Sequence, residues 1–213
     1  MEQEVIRQRL AEMLAELTEL LDDLDNPAEG PDGERLIAWG AKVSPEFKAG
    51  VLWIEDELQL NADNLMACMA FETGGTFSPK IKNAAGSSGL GLIQFMSFTH
   101  KAMVQRYPNL AKIAPTHADL AKLSAHQQLS FVYYYFRQFG ADFSDYTLED
   151  TYMTILFPKA VGKPNDWPMP WEYGELAYKQ NKGLDANRDR VITKAEAAAG
   201  VRRMLDLGNQ QKG

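Results

Sequence analysis

Glu72 is the residue best placed for acid–base chemistry. It ends an apolar run that predicts a helix buried on every side, and Thr73-Gly74-Gly75 follows as a helix stop. Burial and the helix dipole both disfavour a carboxylate there, whereas the lysines and arginines of residues 73–118, a stretch without acids, would favour it. Such a carboxyl group suits a general acid or base. A solvated glutamate at a helix end is the alternative, and this feature alone does not decide between them.

A glycine-rich segment follows Glu72 along the chain. Residues 86–91 are Gly-Ser-Ser-Gly-Leu-Gly, and Leu92-Ile93-Gln94-Phe95 comes next. A phosphate-binding loop is one interpretation, but the Lys-Ser/Thr pair of a P-loop and a preceding strand are both missing. We therefore expect the glycines to let the backbone approach an extended ligand, with the Gln94 amide as hydrogen-bond donor and acceptor.

The two features together resemble the lytic transglycosylases over roughly residues 44–165. These enzymes have a lysozyme-like α fold and cleave the glycan strands of peptidoglycan. Their three motifs are Glu-Ser, Gly-Leu-Met-Gln and Tyr-Asn. In this chain Thr73 replaces the serine of the first motif and Ile93 replaces the methionine of the second. The similarity is greatest to phage-type members, which are endolysins or virion tail proteins. The resemblance implies Glu72 as the catalytic acid and base, with substrate-binding roles for Thr73, Gly91, Leu92, Gln94, Phe95, Tyr152 and Phe157.

The third motif departs from the family pattern. Phe157-Pro158 stands where the family has Tyr-Asn, so the hydroxyl that would orient Glu72 must come from Tyr152 or from one of the three tyrosines 133–135. Three consecutive helical tyrosines cannot face one way, so we expect at least one in the core. This departure favours a catalytically silent glycan-binding or virion structural protein as an alternative to an enzyme.

The resemblance implies cleavage of the MurNAc–GlcNAc β-1,4 bond with a single glutamate. In that mechanism the 6-hydroxyl of the muramoyl sugar displaces the bond and leaves a 1,6-anhydro end. Ordinary glycoside hydrolases use two carboxyl groups, so a hydrolytic muramidase on the same fold is the nearest alternative. In that alternative the second carboxyl group would come from one of the acids further along the chain, Asp142, Asp145, Glu149 or Asp150.

Residues 185–196 match the calcium-binding loop of an EF-hand. The predicted ligands are the side chains at positions 1, 3, 5 and 12 and the carbonyl at position 7, namely Asp185, Asn187, Asp189, Glu196 and Val191. Arg190 replaces the usual glycine at position 6 and should weaken the site. We expect calcium as a structural ion and no cofactor for catalysis. The three histidines, His100, His117 and His126, lack metal-ligand spacing and are interpreted as surface or capping residues.

The surrounding patterns predict a mainly α protein with three parts. Residues 1–30 are an acidic amphipathic helix and linker suited to docking or self-association, residues 31–170 a lysozyme-like domain, and residues 171–213 an EF-hand-like helix-loop-helix. Predicted helices cover residues 44–60, 61–72, 92–106, 124–139, 147–157, 172–182 and 194–207. Cys68, the single cysteine, is predicted to be a core residue.

Charge and hydropathy exclude several classes of protein. The net charge is −7, and residues 1–30 alone carry nine acids and two bases, so the rest of the chain is neutral. A neutral body argues against nucleic-acid binding. No run approaches the roughly 18 apolar residues of a membrane span. The sequence also lacks a secretory signal pattern, so we expect a host-cytoplasmic pool that reaches the wall as an endolysin, or a virion-associated protein.

Overall fold

The computed structural model describes residues 35–83 and 86–213, so the predicted N-terminal helix lies outside the described residues. Eight α-helices follow in chain order within that part of the chain: α1 Pro45–Leu58, α2 Ala62–Thr73, α3 Ser97–Arg106, α4 Pro108–Ile113, α5 Ala125–Arg137, α6 Leu148–Leu156, α7 Leu176–Asn181 and α8 Lys194–Asn209. Between residues 35 and 213, apart from 84 and 85, β pairing is confined to isolated bridges. The prediction of a mainly α protein is confirmed.

Local capping explains where several of these helices begin. Ser44 accepts a hydrogen bond from the N–H of Phe47, and Pro45 occupies the first position of α1. Asn61 caps α2 in the same way, through the N–H of Asn64. Ser124 and Gln127 form the reciprocal capping box predicted for α5. These three helix starts lie where the sequence places them.

Two predicted helices begin several residues later in the structure. The helix predicted over residues 92–106 begins at Ser97, because residues 91–95 form a tight turn in which Gln94 has a positive φ of 53°. The N–H of Phe95 donates to the carbonyl of Leu90 across this turn, at 2.9 Å. The helix predicted over residues 172–182 begins only at Leu176, since Gly174, with φ of 93°, interrupts the chain before it.

Helix α2 lies between two hydrophobic clusters. Leu65, Met66 and Met69 belong to the cluster formed with α1 and α5, whereas Ala67 and Cys68 belong to the one formed with α6 and α8. The helix is therefore buried on all sides, as its unbroken apolar sequence predicts. Cys68 has no exposed surface, which confirms its assignment to the core.

The C-terminal helix α8 packs along α2 and α6. Gly200 makes the close approach possible, because a Cβ there would lie 2.3 Å from Cε2 of Phe71. The end of α8 is also fastened to the segment before α1: Trp39 donates its ring N–H to the carbonyl of Met204 at 2.8 Å. Contacts from α8 thus reach the helix that carries Glu72. The predicted division into three parts stays a prediction.

Two ion pairs join α6 to α8. Lys194, of which only 1% is exposed, donates to Asp150 at 2.6 Å, and Arg202 pairs with the buried Glu149. Burial alone would raise the pKa of Asp150, but hydrogen bonds from Lys194, Gly162 and Thr147 lower it overall. None of the helices in the described residues is long and apolar enough to cross a membrane.

Candidate active site

Glu72 lies in the last turn of α2, one residue before the helix ends. Gly74 adopts a left-handed conformation with φ of 60°, and the N–H of Gly75 closes the helix on the carbonyl of Ala70 at 2.7 Å. The side chain is partly buried, and this burial raises the pKa of Glu72 from an ordinary value of 4.5 to about 7. The carboxyl group therefore exchanges its proton near neutral pH, as a general acid and base must.

Two buried tyrosines lie within electrostatic reach of Glu72. Burial and then the charge of Glu72 raise the pKa of both Tyr135 and Tyr152. The Tyr135 hydroxyl donates to the carbonyl of Thr154 at 2.8 Å, so it is engaged within the core. Tyr152 packs edge-on against Phe71, with ring centroids 5.5 Å apart. Of the two, Tyr152 is the better candidate for orienting Glu72.

The other two tyrosines of the run face away from Tyr135. Tyr133 packs against Trp53, and Tyr134 packs against Tyr107, with centroid distances of 4.7 and 4.6 Å. The expectation that the three tyrosines point in different directions, with at least one in the core, is confirmed by these contacts.

Thr73 supports the loop after Glu72. Its side chain is fully buried, its hydroxyl donates to the carbonyl of Met69 at 2.7 Å, and the same oxygen accepts from the N–H of Phe77 at 3.0 Å. Phe77 has a positive φ of 50°, so this bond holds a strained turn. In this conformation Thr73 has no surface with which to contact a substrate, contrary to the role that the family resemblance implies.

The end of the glycine-rich segment, residues 89–91, is buried, whereas residues 86–88 are exposed. A Cβ on Gly91 would lie 2.2 Å from Oε1 of Gln128, whose side chain accepts from the N–H of Leu92 at 2.7 Å and donates to the carbonyl of Leu120 at 3.0 Å. The glycine is needed for this internal contact, which corrects the expectation that it admits a ligand. Leu92 and Phe95 are buried as well and have no surface for a substrate.

Gln94 remains the polar side chain of this turn. Its amide N–H donates to the carbonyl of Gly91 at 3.1 Å, while its buried oxygen Oε1 has no hydrogen-bond partner among the described residues. A Cβ on Gly89 would lie 2.8 Å from that oxygen. The amide is thus half satisfied internally, and its Oε1, which is buried, is an acceptor that a water within the turn could use.

Phe157 ends α6 and is half-buried. Its ring meets that of Trp171 at a centroid distance of 6.3 Å. Trp171, Tyr173 and Arg190 belong to the lining of a cavity of about 510 Å³. A second cavity of about 400 Å³ lies beside the glycine-rich segment, and a third of similar size lies at the starts of α1 and α5. Glu72 lines none of these three cavities.

The acids considered as a second catalytic carboxylate are held elsewhere or exposed. Glu149 and Asp150 form the ion pairs with α8 described above, and Asp142 accepts from the N–H of Ser144 at 2.9 Å. Asp145 is exposed. The cause of the raised pKa of Glu72 is burial, with no contribution from a neighbouring carboxylate of the described chain.

His100 corrects the interpretation of the histidines as surface or capping residues. His100 is buried, its Nε2 lies 3.0 Å from the carbonyl of Ala114, and its ring stacks on Phe131. Burial lowers the pKa of His100. His117 places its Nε2 2.7 Å from the carbonyl of Phe95, so it supports the turn that carries Gln94. Neither role was predictable, because both partners come from other elements.

The predicted calcium ligands lie in one loop between α7 and α8. Asp185 is buried, whereas Asn187, Asp189 and Val191 are exposed. Glu196 accepts from the N–H groups of Ala186 and Thr193, at 3.2 and 2.9 Å. Across residues 35–83 and 86–213, no group of three or more His, Cys, Asp or Glu side chains is arranged closely enough to hold a metal ion.

Comparisons of the chain with protein-family models, with curated proteins and with solved structures find no match. The resemblance to lytic transglycosylases therefore depends on the motifs themselves.

Proposed function

We propose that this protein cleaves the glycan strands of peptidoglycan at the MurNAc–GlcNAc β-1,4 bond, as a lytic transglycosylase with a lysozyme-like domain. The observation that carries the proposal is Glu72: a carboxyl group with a pKa of about 7 at the end of a buried helix. The motif resemblance adds the glycine-rich turn with Gln94 at the distance along the chain that this family uses.

One carboxyl group is sufficient for the proposed reaction. Protonated Glu72 gives its proton to the glycosidic oxygen as the bond from that oxygen to C1 of the muramoyl sugar breaks. The resulting carboxylate then takes the proton of the 6-hydroxyl, whose oxygen bonds to C1 and closes the 1,6-anhydro ring. Glu72 ends the cycle protonated, and a pKa near the working pH suits both proton transfers.

Other described residues have supporting roles in this proposal. Tyr152 would orient the carboxyl group: it packs against Phe71, the residue before Glu72, and its pKa is raised by burial and then by the charge of Glu72. Lys82 is exposed beside the glycine-rich segment and lines the 400 Å³ cavity with Ser87 and His117. A lysine there suits the carboxylates of the peptides attached to the glycan. Access to the wall as an endolysin or from a virion is part of the same proposal.

Digestion of purified sacculi, followed by mass spectrometry of the muropeptides, tests the proposal. We expect products ending in 1,6-anhydromuramic acid, which is lighter by one water than a hydrolysed end. Products with reducing ends alone would assign the protein as a muramidase, with water in place of the 6-hydroxyl. Intact sacculi after treatment with folded protein would support the glycan-binding or virion structural alternative, which Phe157 favours.

The variant Glu72→Gln tests the assigned residue. Glutamine keeps the size and hydrogen-bonding capacity of the side chain but cannot deliver a proton, so activity should fall about 10²–10⁴-fold. Glu57→Gln changes an exposed carboxylate on α1 and serves as the matched control. Undiminished digestion by folded Glu72→Gln would remove Glu72 from the mechanism.

A further inference from the structure

The loop between α7 and α8 contains an acidic oxygen that lacks a partner. Asp185 is only 8% exposed, and its Oδ1 is buried and accepts no hydrogen bond of ordinary geometry among the described residues. The backbone N–H groups of Arg188 and Asp189 also interact with this carboxylate. Its other oxygen, Oδ2, accepts from the Tyr178 hydroxyl at 2.6 Å and from the N–H of Arg190 at 3.1 Å. The carboxylate therefore points into the loop. A buried unpaired carboxylate oxygen is costly unless something binds it.

The atoms around this loop are those that calcium prefers. Asn187 and Asp189 add side-chain oxygens within the same turn, linked by the hydrogen bond from the N–H of Asp189 to Asn187 at 2.9 Å. Glu196 stands across the loop, where its two oxygens accept from the N–H groups of Ala186 and Thr193. Calcium takes six to eight oxygen ligands of these kinds in a flexible geometry.

The C-terminal end of the loop is fixed by the rest of the chain. The N–H of Met169 donates to the carbonyl of Ile192 at 2.8 Å, and the N–H of Lys194 donates to the carbonyl of Trp167 at 2.9 Å. Lys194 then forms the buried ion pair with Asp150. The segment from Trp167 to Met169 therefore holds the loop by backbone pairing, without a second EF-hand in the described residues.

We propose that residues 185–196 bind one calcium ion, with oxygen ligands from Asp185, Asn187, Asp189, Val191 and Glu196. Without the ion, the acidic side chains of the loop do not lie close enough together to hold a metal. Calcium binding would therefore break hydrogen bonds within the loop and form metal–oxygen contacts in their place. Asp189 would release the N–H of Val191, and Glu196 would release that of Ala186. Oδ1 of Asp185 enters the site without losing a hydrogen bond of ordinary geometry, whereas the N–H groups of Arg188 and Asp189 would give up their interaction with this carboxylate.

The ion would stabilise α8 and, through it, the helix that carries Glu72. Thr193 and Glu196 form the capping box at the start of α8, and α8 packs along α2 through Gly200 and Phe71. Calcium bound at this start links the loop to the core. Its role is structural, and its presence or absence can be measured without any glycan-cleaving activity.

Arg190 sets the strength of the site. It has a positive φ of 75°, and its guanidinium lies 4.6 Å from the centroid of the Tyr173 ring. The strain of this conformation is already present without the ion, so Arg190→Gly should raise the melting temperature even in chelator. Arg190→Gln keeps the strained backbone position but removes the positive charge and its contact with Tyr173, and the loss of the charge should make calcium binding tighter.

Titration calorimetry and thermal unfolding of the full chain, in calcium and in EGTA, test the proposal. We expect a single site with a dissociation constant between about 10⁻⁵ and 10⁻³ M. At a hundredfold excess of calcium over that constant the melting temperature should rise by about 5–10 °C. Magnesium should give a smaller response, because it requires a stricter octahedral geometry.

Variants distinguish this loop from other acidic surfaces. Asp189→Asn and Glu196→Gln should each reduce the melting-temperature response to calcium, and Glu196→Gln should also lower stability in EGTA because it weakens the capping box. Glu175→Gln, an exposed acid just before α7, should respond like the unmodified protein. Absence of binding heat up to about 5 mM calcium, about fivefold above the weakest dissociation constant expected here, overturns the proposal. So does an unchanged calcium response in both loop variants.

Discussion

Replacing Glu72 by glutamine should make the protein more stable at alkaline pH and little different at acidic pH. Below pH 4.5 the carboxyl group is protonated in both the folded and the unfolded chain, so it adds no pH dependence. Between 4.5 and about 7 the unfolded chain releases its proton first, and the folded state loses stability as the pH rises. Above pH 7 the folded state carries the full cost of a buried charge.

The size of this effect follows from the pKa. One pKa unit corresponds to about 1.4 kcal/mol, so an increase from 4.5 to about 7 corresponds to about 3 kcal/mol of unfolding free energy. Glutamine does not titrate, so the folded state of the Glu72→Gln variant does not lose this stability as the pH rises. The advantage of Glu72→Gln over the unmodified protein should therefore grow by about 3 kcal/mol between pH 4 and pH 8. For a chain of this length that is about 6–12 °C in melting temperature.

Differential scanning calorimetry at pH 4, 6 and 8 measures this difference. Glu57→Gln, which changes an exposed carboxylate, should show a small difference from the unmodified protein that does not grow with pH. A constant difference between Glu72→Gln and the unmodified protein at all three pH values would refute a desolvated Glu72. A difference that shrinks as the pH rises would mean that the folded state favours the carboxylate.

Three further predictions follow from the contacts of the described residues. Digestion of sacculi should decline as the pH rises through about 7, because Glu72 must be protonated to act as an acid; activity that increases through this range would contradict that role. Lys194→Met should lower the unfolding free energy measured in urea titrations by about 3 kcal/mol, because it leaves the buried Asp150 without its ammonium partner. A loss below about 1 kcal/mol would mean that the ion pair is dispensable for stability. Gly200→Ala should lower the melting temperature despite the better helix propensity of alanine, since its Cβ would lie 2.3 Å from Phe71 and overpacking costs about 1–3 kcal/mol. Adding Phe71→Leu should partly restore the stability of this variant. A rise in the melting temperature of Gly200→Ala would show that Phe71 moves aside freely.

The sequence alone determined the features that depend on neighbouring residues. The starts of α1 and α5 follow from Ser44-Pro45 and from the Ser124–Gln127 capping box, since both use hydrogen bonds that span three residues. The burial of α2 follows from its unbroken apolar run, because a helix without a polar face must be covered on all sides. The sequence left the pKa of Glu72 open, because the basic residues of 73–118 would oppose the effect of burial. The structure shows that burial raises it.

Only the tertiary structure decided how the side chains around the candidate site are used. A side chain at position 91 would occupy the space of Gln128, which lies on α5. The ring of His117 contacts the carbonyl of Phe95, which lies 22 residues earlier in the chain. Buried polar groups must find partners, and these partners are chosen by packing between elements rather than by local sequence. For the same reason the ion pair of Lys194 with Asp150 could not be predicted: it joins residues 44 positions apart that meet only when α6 and α8 pack together.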